Sequence, residues 1–349
     1  MFSDLVETLR KVEKPTVAYS TPDGARVLVL PYGGRILGLF APDSDVNFLW
    51  TNPALSSVGT ARAFYASNLW HNSGGDRTWL APEIDFFFPG FPDLASYRQP
   101  RELDPGNYRV REENGQLVLV NQFTVTMSRS KQAINLEITK ILSAAANPLR
   151  HERDLADLEA VAYAGYTLQT SLCLLSSPME DSRVGLWNLL QLPNGGEVFI
   201  PTYGKTEANI VFGTISSEDL RMQKHLIRYR MRAAGAQKLG IRAVAATGRI
   251  GYLYGSGEEF ALVVRNFFLN PSGEYVDVPW KNTEDFGYAV QACNINNELG
   301  SFSEIEAHVP AIGGGTSRRR AEDFSQVWAF RGPRSQIRQI MKCLLGHTT

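Results

Sequence analysis

Between Asn68 and Asp85 the chain gathers two tryptophans, a histidine, an arginine, three acids and a Gly-Gly pair within 18 positions, a mixture that a structural loop rarely needs. Sugar binding does need it. Hydroxyls ask for paired donors and acceptors such as Arg77, Asp76 and Glu83, and the apolar C–H face of a pyranose lies against an indole such as Trp79 or Trp70. The same residues would also make a glycine turn over two core tryptophans beside a surface ion pair. A second group is Phe302-Ser-Glu-Ile-Glu-Ala-His-Val-Pro310. In a strand, positions i, i+2 and i+4 share a face, so Glu304, Glu306 and His308 project together with neighbours roughly 6.6 Å apart. Like charges that close raise a carboxyl pKa, which fits general acid–base work near neutrality if the face is enclosed. An exposed edge strand would carry the same residues without chemistry. Trp187 is either a stacking platform or a core residue, and Lys238 is either a pocket cation or a solvated strand start.

The elements that must position these residues are mainly strands. Residues 107–142 alternate apolar and polar, turn at Asn114-Gly115 and resume, which predicts a meander with a two-residue hairpin. A second β-rich block starts at Ile241 and runs to Val309, and a third includes Tyr166–Leu172 and Val198–Ile200. Helical spacing is confined to the ends, giving an N-terminal helix in 1–14 and a C-terminal helix in 335–346 that Gly346 can stop. No fixed repeat and no Pro/Ser-rich linker divides the chain, so one β-sandwich domain over 1–349 is expected. The long connections 51–107 and 311–325 are candidates for site-forming segments.

The totals limit the function classes. The 349 residues are 44% hydrophobic and 20% charged with a net charge of −1, enough apolar material for a core and no field that attracts nucleic acid or an anionic membrane. Cys173, Cys293 and Cys343 are too few and too scattered for a disulfide framework, and the start lacks a signal-peptide core, so a cytoplasmic protein is expected. Nucleotide-binding glycine loops, a nucleophile elbow, His-Glu-x-x-His and Cys-x-x-Cys are all missing from the sequence, so no cofactor and no metal are expected.

The order of short motifs resembles the galactose mutarotase (aldose 1-epimerase)-like superfamily, in a divergent or uncharacterised branch. Those motifs are Gly33-Gly34-Arg35-Ile36; Asn47-Phe-Leu-Trp-Thr-Asn-Pro53; the Gly74-Gly75 segment with Trp79 and Pro82; Gly185-Leu-Trp-Asn-Leu-Leu-Gln191; Val198-Phe-Ile-Pro201; and a late Glu306 followed by a glycine-rich turn and Trp328. The resemblance implies an all-β antiparallel supersandwich with a sugar site on a concave face. It also implies a late-strand glutamate that takes the anomeric hydroxyl proton and a histidine that protonates the ring oxygen. Glu306 matches the glutamate best, Glu304 is the near alternative, and His71 matches the site-loop histidine. The family's further mid-chain histidine has no counterpart, since residues 160–200 contain none, which points to another acid such as Asp76 or Glu83. The expected catalytic set is therefore Glu306, Glu304 and His71, with Arg77, Trp79, Glu83, Asp76, Trp187, Lys238 and His308 binding a small sugar or glycan end. A non-catalytic sugar-binding or regulatory module, and a glycoside hydrolase or lyase using Glu83 and Glu306, are the alternative readings.

Overall fold

The computed structural model describes residues 2–152, 158, 160–175 and 182–346, which form two ten-stranded antiparallel sheets. The first runs, in spatial order, through Val17–Ser20, Arg26–Leu30, Arg35–Phe40, Asp76–Ala81, Arg183–Pro193, Gly300–His308, Val290–Asn297, Gly235–Ile241 and Asn209–Phe212, with Ile312–Gly313 pairing off this path. The second is centred on the long strands Arg320–Pro333, Ala162–Leu174, Ala133–Ala144 and Gln116–Thr126. Leu186, Leu190 and Leu192 of the first sheet and Leu136, Ile138, Tyr166 and Leu168 of the second share the core between them.

The burial of each strand follows its place. Gln116–Thr126 and Ala133–Ala144 alternate buried and exposed because one face meets the core and the other meets water. Arg183–Pro193, by contrast, is buried at nearly every position, as a strand covered on both faces must be. The hairpin at Asn114-Gly115 forms as its residues predict, with φ of 53° and 72°.

The terminal helices cap the outer faces. Phe2–Lys11 sets Leu9 among Leu28, Leu30, Leu37 and Phe40 of the first sheet, while Met1 lies outside the described residues. Arg334–Leu345 buries Ile337, Ile340, Met341, Leu344 and Leu345 against the second sheet and ends at Gly346 in the left-handed conformation. Among the described residues no helix is long and apolar enough to cross a membrane.

Gly74 and Gly75 bring the chain into the strand Asp76–Ala81. Both have positive φ, and a Cβ on Gly75 would sit 2.1 Å from the Ile36 carbonyl oxygen. Backbone crosses backbone here, so no side chain can yield. Gly75→Ala is expected to destabilise the protein by at least about 3 kcal/mol, measured as the loss of ΔG in urea unfolding; a loss below about 1 kcal/mol would mean that the crossing is slack.

Candidate functional site

Strand register assembles the site. Directly opposed residues of antiparallel strands project to the same side, and three cross-strand rows lie on the outer face of the first sheet. One row is Trp79, Trp187 and His308; the next is Arg77, Leu189, Glu306 and Gln291; the third is Gln191, Glu304, Cys293 and Lys238. Glu304, Glu306 and His308 therefore share a face, on a strand deep inside the sheet instead of at its edge. Two segments cover that face. One begins with the short helix Glu83–Phe86 and continues past Tyr97 to Asp104, and the other, residues 267–289, carries Asp277 and Trp280.

Under this cover the polar groups are almost fully enclosed. Lys238, 1% exposed, places its Nζ 3.1 Å from Glu306, 3.7 Å from Asp277 and 3.9 Å from Glu83, and 4.2 Å from the centre of the Trp187 ring. The Trp187 indole N–H donates to Glu306 Oε2 at 2.8 Å. Trp280 and Tyr97 donate to the two oxygens of Glu83 at 2.8 and 3.1 Å. Gln291 donates to Asp277 Oδ2 at 2.8 Å, and the Glu83 backbone N–H donates to Asp277 Oδ1 at 3.0 Å. Arg77 donates to Glu304 at 2.6 Å and lies over the Trp79 ring, and Gln191 also donates to Glu304, at 3.0 Å.

Enclosure sets the proton affinities. Burial pushes the Glu306 carboxyl up to about 8, against the pull of Lys238. Burial also raises Glu83. Burial would lower the Lys238 ammonium, but Glu306, Glu83 and Asp277 outweigh it and hold that pKa above its ordinary range. His308, stacked on Trp187 with ring centres 5.2 Å apart, is driven down to about 3 by burial. It is therefore neutral in the folded protein. Its contribution to stability is fully present above its ordinary value of 6.5 and is lost as the pH falls towards 3. Melting curves over that window are expected to fall more steeply for the native chain than for His308→Phe; parallel curves would refute this burial effect.

The structure separates the sequence-predicted residues into two groups. Arg77, Trp79, Glu83, Trp187, Lys238, Glu304, Glu306 and His308 meet on this face. Asp76 does not: one residue before Arg77, it points inward, where its carboxylate pairs with Arg265 at 2.8 Å and accepts from Tyr166. His71 is also elsewhere, bonded to the Tyr32 hydroxyl and packed among Phe64 and Tyr65. Of the two long connections expected to form the site, residues 51–107 do so, whereas 320–325 belong to a strand of the second sheet. Asp277, Gln291 and Cys293 are additions outside every motif, and Gln191, the last residue of the Gly185–Gln191 motif, joins them through its register with Glu304. For metal chemistry, Cys293 Sγ and carboxylate oxygens of Glu304 and Glu306 lie within 4.8 Å of one another.

Two cavities open outside the cluster. One, of 660 Å³, is bordered by Trp70, His71, Arg98, Arg101 and Lys131. The other, of 600 Å³, is bordered by Pro82, Tyr275, Val276 and Val278, the chain neighbours of Glu83 and Asp277.

Among solved structures, the chain is similar to the galactose mutarotase related enzyme from Lactobacillus acidophilus, at 9% identity over 92% of this chain and 98% of that chain, with a TM-score of 0.47. It is similar to galactose 1-epimerase from Lactobacillus acidophilus NCFM at 10% identity over 91% and 94%, with a TM-score of 0.39. It is also similar to the GalM/aldose epimerase homologue from C. elegans, at 8% identity over 92% and 99%, with a TM-score of 0.39. Likeness at this level carries no argument about chemistry. No curated protein matches the chain. The chain belongs to DUF6786, a family of unknown function whose match covers residues 1–349.

Proposed function

We propose that the outer face of the first sheet recognises a sugar and that Glu306 moves a proton at its anomeric centre. One observation carries this reading: Arg77, Glu83, Lys238 and Glu306, up to 229 residues apart in sequence, converge on one enclosed surface walled by Trp79 and Trp187. Glu306 has an oxygen, Oε1, with no hydrogen-bond partner, and a proton affinity close to neutrality, which suits a group that must both take and return a proton.

In this reading Glu306 takes the proton of the anomeric hydroxyl as the bond between the anomeric carbon and the ring oxygen breaks. The ring oxygen receives a proton from Glu83, whose carboxyl burial keeps protonated more readily than usual. Lys238 lies between the two carboxyls and holds both in place. Reclosure on the other face of the carbonyl returns each proton and inverts the anomer. Asp76, committed to Arg265 in the core, has no part in this, and His71 is too far into its own aromatic cluster to serve as the acid. Because the cover segments enclose Glu306, the sugar enters when they shift, and the cavity lined by Pro82, Tyr275, Val276 and Val278 lies beside the chain neighbours of Glu83 and Asp277.

The test is anomer exchange, followed by NMR or polarimetry over a panel of aldoses. Exchange above the uncatalysed rate, lost in Glu306→Gln and retained in His71→Asn, supports the proposal. Ligand-dependent rises in melting temperature without exchange would assign a binding module instead, and release of free sugar from glycans would assign hydrolysis. No binding and no exchange with any aldose would refute it.

A further inference from the structure

We propose that this face selects a sugar carrying a protonated amine, an inference that rests on the sugar-binding reading and narrows its substrate class. With every acid ionised, the charges on the face would not balance. Glu83, Asp277, Glu304 and Glu306 are four carboxyls, each no more than 5% exposed, against two cations, Arg77 and Lys238. His308 adds no charge, because burial keeps it neutral. Buried carboxylates in excess of their cations must either hold protons or meet an incoming positive charge.

A second observation, independent of charge, points the same way. Glu306 Oε1, Gln191 Oε1 and Gln291 Oε1 are buried acceptors without a donor. The two glutamines are fully buried, and both have spent an amide N–H on an acid of the cluster, Glu304 and Asp277 respectively. Gln291 also stands directly opposite Glu306 in the strand register. On the donor side, Arg77 Nε is buried without a partner and His308 Nε2 can act as either donor or acceptor, so unpaired acceptors outnumber unpaired donors on a face where carboxyls outnumber cations. An ammonium group brings three N–H donors and one charge together. A neutral hydroxyl supplies donors but leaves the surplus acids to hold protons, as the raised proton affinities of Glu306 and Glu83 require, whereas an ammonium lets them ionise; a phosphate adds to the negative charge.

A metal ion is the competing source of positive charge, through Cys293, Glu304 and Glu306. The amine is favoured because Glu304 Oε1 already accepts from Arg77 and Gln191 and Glu306 Oε2 accepts from the Trp187 indole with Lys238 Nζ 3.1 Å away, so a metal on these acids would have to displace several donors, whereas an ammonium can use the unpaired Oε1 of Glu306.

The experiment is direct binding to the intact protein, by calorimetry or saturation-transfer NMR, at one pH and one salt concentration. The ligands are glucosamine and galactosamine, their N-acetyl forms, the neutral parent sugars and the corresponding 6-phosphates, with Zn²⁺ and Mg²⁺ as separate probes. The amines are expected to bind at least about tenfold more tightly than the neutral parents, the size of effect one charge-assisted hydrogen bond supplies, and N-acetylation should remove that advantage. Asp277→Asn should narrow the ratio of amine to neutral affinity. Neutral or phosphorylated sugars binding as tightly as the amines would overturn this inference and leave the sugar reading standing. Tight Zn²⁺ binding that Cys293→Ser abolishes, with no preference for amines, would also overturn it and assign the surplus charge to a metal. If no sugar binds at all, the sugar reading fails together with this one.

Discussion

Glu306→Gln is expected to slow anomer exchange by about 10²- to 10⁴-fold, the usual contribution of a positioned general base. The substitution keeps the shape of the side chain and an oxygen for the Trp187 indole N–H, which donates at 2.8 Å. What it removes is the capacity to bind a proton. The native rate should rise with pH until the carboxyl, held at about 8, is ionised, and then level off; the variant should show no such rise. Stability supplies a second readout with the opposite sign. The folded carboxyl binds its proton more tightly than the unfolded one, so this stabilisation is fully present below 4.5 and is lost as the pH rises through 8. Between those limits the melting temperature should fall more for the native protein than for Glu306→Gln. Unchanged exchange in the variant would remove Glu306 from the chemistry, and parallel melting profiles would contradict the burial argument for its pKa.

The second large effect lies between the sheets. Asp76 and Arg265 are both fully buried, and their ion pair at 2.8 Å is supported by the Tyr166 hydroxyl, which donates to Asp76 at 2.7 Å. Asp76→Ala leaves the guanidinium charged, without its partner and cut off from water, and is expected to cost about 3–5 kcal/mol. Removing both charges is a different perturbation. Asp76→Leu combined with Arg265→Met replaces two desolvated ions with apolar volume and should recover most of that loss. Urea unfolding of the single and double variants measures both. A loss under about 1 kcal/mol in Asp76→Ala would show that the pair is not enclosed as described.

Much of the architecture was legible because it rests on local rules. Alternation marked the meander, Asn114-Gly115 marked its hairpin, and the 3.6-residue spacing of Ile337, Ile340, Met341 and Leu344 marked the last helix. The site was legible in part. Residues 68–85 read as a chemically rich loop, whereas 76–81 are a strand, in which neighbours face opposite ways. Period two separates Asp76 from Arg77 and Trp79 and sends it to the core pair instead of the sugar face. Lys238 read equally well as a solvated strand start, because its local sequence cannot reveal that its strand is interior to the sheet or that residues 267–289 fold over it. Gln191, Gln291 and Cys293 join the site only through register with Glu304 and Glu306, information that exists between strands and not within them. Asp277 stands between two valines in an irregular segment, with no motif around it.

The most direct measurement is a crystal structure of the protein with an aldose bound. The pyranose should lie on the outer face of the first sheet, beneath the segments that carry Tyr97 and Trp280, with a hydroxyl within hydrogen-bonding distance of Glu306 Oε1. A sugar seated only in the cavity beside Arg98, Arg101 and Lys131, with Lys238 still closed onto Glu306, Glu83 and Asp277, would contradict the account.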